Sequence, residues 1–160
     1  NKRLMAIEIE RKFLVTGNDW RQSRGVYCVQ GYLSRDKDRT IRVRRYGNKA
    51  FLTVKGVTTS ASRAEFEYEI PLADAEELFK LCDGPLIEKV RHRVFYNGLT
   101  WDVDEFLGEN EGLVLAEIEL DHEAQSFERP PWLGEEVTHD HRYFNSNLCA
   151  HPFRRWSKGE

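Results

Sequence analysis

The sequence predicts a mainly β protein of the α+β kind: a closed, eight-stranded antiparallel β-barrel forming a tunnel, with a few peripheral helices. Three observations predict it. Charged and apolar residues alternate with a period of two in segment after segment, which puts each kind on its own face of a strand and would scatter both around a helix. Within most of those segments the charges share one sign. Asn97-Gly98, between two alternating runs, is the strongest short-range hairpin signal a sequence offers.

The elements follow in order. "IEIERKFLV" sets Glu8, Glu10 and Lys12 against Ile7, Ile9 and Phe13, with Arg11 the one charge on the apolar side. "VYCVQGYLS" is a less charged strand carrying Gln30 and Tyr32. "TIRVRRY" places Arg42 and Arg44 opposite Ile41 and Val43, and "FLTVKG" places Thr53 and Lys55 opposite Leu52 and Val54; the turn at Gly47-Asn48 makes the two a hairpin. "AEFEYEI" sets Glu65, Glu67 and Glu69 against Phe66, Tyr68 and Ile70. Pro71 then opens a helix through Leu72 to Cys82, with acidic residues in its early turns and an apolar face to lay on a sheet. "EKVRHRVFYNGLTWDVDEF" aligns Lys89, Arg91 and Arg93, turns at Asn97-Gly98, and returns with Asp102 and Asp104 opposite Trp101 and Val103. "VLAEIEL" adds Glu117 and Glu119 against Ile118 and Leu120. After Leu120 the alternation dissolves, Pro130-Pro131 blocks continuation, and the remainder reads as loop plus a short helix.

At 160 residues the chain is expected to form one domain over 1–160, with a strand core over about 7–120 and a C-terminal covering segment over about 121–156. Charged residues make up 32% but the net charge is only -3, so no overall field attracts nucleic acid or an anionic membrane. Arg154, Arg155 and Lys158 around Trp156 read as a basic tail rather than an RNA contact. Cys28, Cys82 and Cys149 are odd in number and lack CxxC spacing, which argues against a disulfide framework or a zinc site and for the reduced thiols of a cytoplasmic protein. With no apolar run near ~18 residues and no charged-then-apolar leader, neither membrane spanning nor export is expected.

An ordinary sheet, apolar face in and charged face out, accounts for any one of these strands. Together they strain it. Side chains at i and i+2 lie about 6.8 Å apart, so each Glu-x-Glu, Arg-x-Arg or Asp-x-Asp pair repels by roughly 0.6 kcal/mol in water and by more than ~2 at an effective dielectric near 20. Same-sign blocks make sense if they face one another across a lumen, where cationic strands hold a polyanion and anionic strands hold cations. Closing about eight strands removes the sheet edges and leaves an interior wide enough for side chains or one small ligand. The apolar exterior then needs cover, from the helix at 72–82, from the region after 121, or from a second copy in a homodimer.

With these blocks in view, "EIERK" with Glu8, Glu10 and Lys12 resembles the ExExK signature of the CYTH superfamily, the triphosphate tunnel metalloenzymes. Arg42-x-Arg44, Lys55, the Glu67 and Glu69 pair, Lys89-x-Arg91, Asp102-x-Asp104 and Glu117-x-Glu119 follow in that family's order across residues 7–120, and "EEVTHDHRYFNSNL" is similar to its short bacterial members, with His139 where Gly is expected. The resemblance implies a tunnel that processes triphosphates with Mg²⁺ or Mn²⁺. It assigns metal to Glu8, Glu10, Asp104, Glu117 and Glu119, and phosphate to Lys12, Arg42, Arg44, Lys55, Lys89 and Arg91.

The chemistry suits these residue types. A triphosphate needs many fixed donors; Arg supplies planar forks and Lys mobile point charges, while Mg²⁺ is held by one or two carboxylates plus phosphate oxygens and waters. Tyr32 is an added substrate contact or packing. For the general base two readings stand: Lys89, its ammonium crowded by Arg91 and Arg93, or a metal-bound water activated by Glu67 or Glu69. The function expected first is a metal-dependent inorganic triphosphatase, a phosphoanhydride hydrolase turning tripolyphosphate into pyrophosphate and phosphate, since the chain is small and shows no obvious nucleoside-recognition segment. The same site suits class IV adenylate cyclase chemistry, thiamine triphosphate hydrolysis or RNA 5′-triphosphate removal. A non-enzymatic polyphosphate or nucleotide sensor is the reading from a different class.

Overall fold

The computed structural model describes residues 7–22 and 24–157; Lys158 lies outside them. Nine strands and two helices are defined among these residues: β1 Ile7–Val15, β2 Val26–Ser34, β3 Thr40–Tyr46, β4 Lys49–Lys55, β5 Ser62–Ile70, α1 Leu72–Phe79, β6 Ile87–Tyr96, β7 Leu99–Phe106, β8 Val114–Glu119, β9 Leu133–Glu136 and α2 Asn145–Ala150. All pairings are antiparallel, in the order β5-β4-β3-β2-β6-β7-β8-β1. The sheet closes because β1 changes partners along its length. Ile7, Glu8 and Ile9 pair with Ala64, Arg63 and Ser62 of β5, while Glu10 to Leu14 pair with β8 on the other edge. The result is the closed eight-stranded barrel that the alternation predicts.

Hairpin chemistry fixes the registers. Asn97 and Gly98 both take positive φ, 51° and 80°, the conformation a two-residue hairpin loop demands, and Tyr96 faces Leu99 across it. The helix after Pro71 is shorter than the sequence suggests. α1 ends at Phe79, and residues to Cys82 continue only as a turn in which Leu81 and Cys82 N–H bond back to Leu78 and Phe79, because Asp83-Gly84-Pro85 cannot extend it. β9 was not visible in the sequence: four residues are too few to show a period. It forms on the stretch of β1 edge that β5 leaves free, pairing Phe13 with Glu136 and Val15 with Leu133, and Arg11 grips Glu136 at 2.6 and 2.9 Å.

Three apolar clusters support the barrel, two outside and one within. Phe13, Trp101, Val103, Ala116 and Ile118 on the outer face of β1, β7 and β8 pack under Trp20, Trp132 and Phe127, so part of the segment after 121 covers the exterior as expected. α1 covers Val43, Ala50 and Leu52 through Ala75, Leu78 and Phe79. The third cluster has inward parity: Ile87, Phe106 and Leu115, with Tyr32 and Leu14, meet Val137, Tyr143, Leu148 and Cys149. The last part of the chain therefore closes one end of the lumen rather than lying on its outside. Phe66, Tyr68 and Phe95 remain exposed on the outer surface. No helix among the described residues is long and apolar enough to cross a membrane.

Gly31 of β2 shows how tightly the outside is packed. A Cβ there would stand 2.6 Å from Leu86 Cδ2 and 2.7 Å from Cys82 Sγ. Gly31→Ala is expected to destabilise the protein by about 1–3 kcal/mol, through overpacking of the 81–86 turn, as read from the midpoint of urea unfolding.

Candidate active site in the barrel lumen

A cavity of about 290 Å³ occupies the lumen, and its wall is built from the inward positions of the strands. Because successive strand residues point to opposite faces, each x-charge-x-charge block delivers its whole charge set inward. Eleven of the fourteen residues singled out in the sequence line this cavity: Glu8, Glu10 and Lys12 of β1; Tyr32, Arg42 and Arg44 of β2 and β3; Lys55 and Glu67 of β4 and β5; Arg91 of β6; and Glu117 and Glu119 of β8.

The other three lie elsewhere. Lys89 and Asp104 sit behind the wall, 0% and 1% exposed, with Lys89 Nζ 2.7 Å from Asp104 Oδ2. Glu69 is exposed near the end of β5 and does not line the cavity. The structure also adds lining residues that the sequence reading left out of its site. Arg63, Glu65, Arg93 and Asp102 share the inward parity of their neighbours, so that signal was present. Thr138 and Phe144 come from turns, and Asn145 and Ser146 from the first turn of the six-residue α2, at the closed end, where no periodic signal was present.

Around the barrel the charges are paired. Lys55 Nζ lies 3.0 Å from Glu8 Oε2 and 3.6 Å from Glu65 Oε2, and Arg63 Nε lies 3.5 Å from Glu8 Oε1. Arg42 and Arg44 reach the same oxygen of Glu67 at 3.8 and 3.6 Å, and the Thr53 hydroxyl donates to it at 2.9 Å. Arg91 forms a fork onto Asp104, at 2.7 and 2.8 Å, and turns its remaining donors toward Asp102 and Glu117, each at 3.5 Å. At the closed end, Lys12 Nζ donates to the Tyr143 carbonyl at 3.3 Å and lies 5.6 Å from the centre of the Phe144 ring.

Two strains remain after this pairing. Burial and the adjacent Glu117 and Glu8 carboxylates hold the Glu10 carboxyl well above its usual range, whereas Glu117 is pulled well below it against its own burial by Lys12, its hydrogen bond with Glu10 and Arg91. The two carboxyls interact directly and titrate as a unit. On the opposite wall, burial together with repulsion from Arg42 and Arg91 lowers Arg44. One wall thus has an excess of carboxylate and the other of guanidinium, a pattern that a cation and an anion bound together relieve.

Asp104 behaves differently. Burial works to raise its carboxyl, but Arg91 and Lys89 outweigh burial and hold it at about 2. Since the folded value lies below the ordinary 3.8, its stabilisation is complete above that value and is lost as pH falls from 3.8 toward about 2. Asp104→Asn is expected to remove this acid limb, so that unfolding free energy measured between pH 4 and pH 2 falls less steeply than in the wild type.

Comparison with known proteins agrees with this geometry. The chain is 51% identical over 156 residues to the inorganic triphosphatase of Acetivibrio thermocellus, covering 96% of this chain and 100% of that protein. It is 39% identical over 146 residues to the inorganic triphosphatase of Nitrosomonas europaea, covering 89% and 96%. The crystal structure of an inorganic triphosphatase superposes with a TM-score of 0.64 at 36% identity, covering 89% of this chain and 93% of that one. The family model of the CYTH domain matches residues 6–146, which takes in every strand of the barrel and the start of α2, and the chain belongs to the CYTH family.

Proposed function

We propose that the chain is a divalent-cation-dependent inorganic triphosphatase, hydrolysing tripolyphosphate to pyrophosphate and phosphate in the barrel lumen. The observation that carries this reading is the meeting of an excess-guanidinium wall and an excess-carboxylate wall across one cavity, in a chain that matches an inorganic triphosphatase along its whole length.

The donor set fits Mg²⁺ or Mn²⁺. Glu8, Glu10, Glu117 and Glu119 offer only hard oxygen ligands, and the carboxylate crowding that raises Glu10 is what a divalent cation would relieve. Among the described residues no three acidic, cysteine or histidine side chains form a preassembled metal site. That suits Mg²⁺, which takes one or two carboxylates and completes its shell with phosphate oxygens and waters. When bound, the cation neutralises charge on the phosphate oxygens and orients the chain of phosphates.

The protein's own residues do the rest. Arg42, Arg44 and Arg91 grip the phosphates with planar forks, and Lys12 and Lys55 add point charges toward either end of the cavity. Of the carboxylates considered as base, Glu67 faces the cavity and Glu69 does not. Glu67 takes a proton from the attacking water as its oxygen bonds to the terminal phosphorus; the P–O–P bond breaks and the leaving pyrophosphate oxygen keeps the electron pair beside the arginine row. Lys89, buried against Asp104, acts as a positioning residue: the pair fixes the carboxylate that holds Arg91.

Phosphate release from tripolyphosphate, ATP and thiamine triphosphate, with Mg²⁺, Mn²⁺ or EDTA, tests the proposal. Fastest cation-dependent release from tripolyphosphate is expected. Pyrophosphate release from ATP with cyclic AMP formed would make it a cyclase, and a preference for thiamine triphosphate would make it a thiamine triphosphatase.

A further inference from the structure

Arg63 stands at the seam where the barrel closes. It faces Glu8 in the β1–β5 register, its Nε lies 3.5 Å from Glu8 Oε1, and it lines the same cavity as Arg42 and Lys55. Its side chain is 24% exposed, against 7% for Glu8. Glu8 therefore carries two cations at once: Arg63, and Lys55 at 3.0 and 3.1 Å from its two oxygens. A divalent cation on the Glu8 carboxylate repels both of them and takes the oxygens they hold. Both displaced groups already border the cavity, where a bound triphosphate offers them a multiply charged partner in addition to Glu65, which lies 3.6 Å from Lys55.

We propose that Arg63 is a phosphate-binding residue that passes, with Lys55, from Glu8 to the triphosphate when a divalent cation takes Glu8, so that cation and triphosphate bind with positive coupling. This rests on the triphosphatase reading above. Without the cation, the triphosphate competes with Glu8 for Arg63 and Lys55; without the triphosphate, the cation competes with Arg63 and Lys55 for Glu8. Each ligand removes the other's competitor, and the coupling is reciprocal by linkage. A plain seam-pinning role for Arg63 makes the opposite forecast, because loosening Glu8 then weakens its hold on a cation.

The test measures the two ligands separately on the full chain. Mn²⁺ is titrated into metal-free protein with free Mn²⁺ read by electron paramagnetic resonance, and non-hydrolysable imidotriphosphate is titrated by calorimetry in EDTA. Arg63→Gln is expected to bind Mn²⁺ about tenfold more tightly and imidotriphosphate about tenfold more weakly, the scale of one charge-assisted hydrogen bond. Should Arg63→Gln not fold, Arg63→Lys carries the test, because it keeps the charge but loses the fork: imidotriphosphate weakens and Mn²⁺ affinity stays within about threefold. Unchanged or weakened Mn²⁺ binding in Arg63→Gln, or unchanged imidotriphosphate binding in either variant, overturns the inference and leaves the triphosphatase reading standing. A wild type that binds no imidotriphosphate in EDTA or with Mn²⁺ overturns both.

Discussion

Glu10→Gln is expected to reduce phosphate release from tripolyphosphate by at least about 100-fold, more than the loss usual for groups that merely support a metal ligand, while making the folded protein more stable at neutral pH. The two effects share one cause. Glu10 is pressed against Glu117 and Glu8, and burial plus those neighbours lift its carboxyl well above 4.5. A carboxyl whose folded pKa is raised contributes stability below its unfolded value and loses that contribution as pH rises through the folded value. Gln keeps the shape and never ionises, so the stability advantage of the variant should be absent near pH 4, grow as pH rises, and level off above the raised pKa. Urea unfolding at a series of pH values reads it directly. A variant that is inactive and also less stable at pH 7 would mean that Glu10 holds the barrel rather than a cation.

Lys89→Met is expected to lower stability by about 3 kcal/mol, near the bottom of the range for breaking a buried ion pair because Arg91 still reaches Asp104. For a chain of this length that is a fall of roughly 10 °C in melting temperature. Activity falls with it, because a carboxylate left with one counterion draws Arg91 away from the cavity. The double variant Lys89→Met with Asp104→Leu removes both charges, so its loss of stability should be smaller than the sum of the single losses, as a double-mutant cycle measures. Losses that add to within about 0.5 kcal/mol would show that the two groups act independently. Full stability with activity abolished in Lys89→Met alone would restore Lys89 as the base.

Parity along the strands was enough to read which side chains face inward, and it placed Glu8, Glu10, Lys12, Arg42, Arg44, Lys55, Glu67, Arg91, Glu117 and Glu119 around one cavity. It also contained Arg63, which stands two residues before Glu65 on the same strand and shares its inward face. Parity says nothing about depth along the barrel axis. Lys89 has the inward parity of Arg91 but pairs with Cys28 and Phe106, at the level where the apolar plug begins, so it is sealed from the cavity with Asp104. The plug itself was illegible for a related reason: Val137, Tyr143, Leu148 and Cys149 reach the lumen from turns and a six-residue helix, whose positions depend on the barrel end they fill rather than on a period of their own.

The central claim is that the two walls of the lumen bind cation and triphosphate together for hydrolysis, and ³¹P nuclear magnetic resonance of tripolyphosphate incubated with the protein and Mg²⁺ tests it most directly. The account predicts that the tripolyphosphate signals give way to pyrophosphate and phosphate in equal amounts, that EDTA stops the change, and that Glu10→Gln of unchanged circular dichroism leaves the signals intact. Tripolyphosphate that binds tightly yet persists unchanged with wild-type protein and Mg²⁺ or Mn²⁺ would contradict it and make the barrel a polyphosphate sensor.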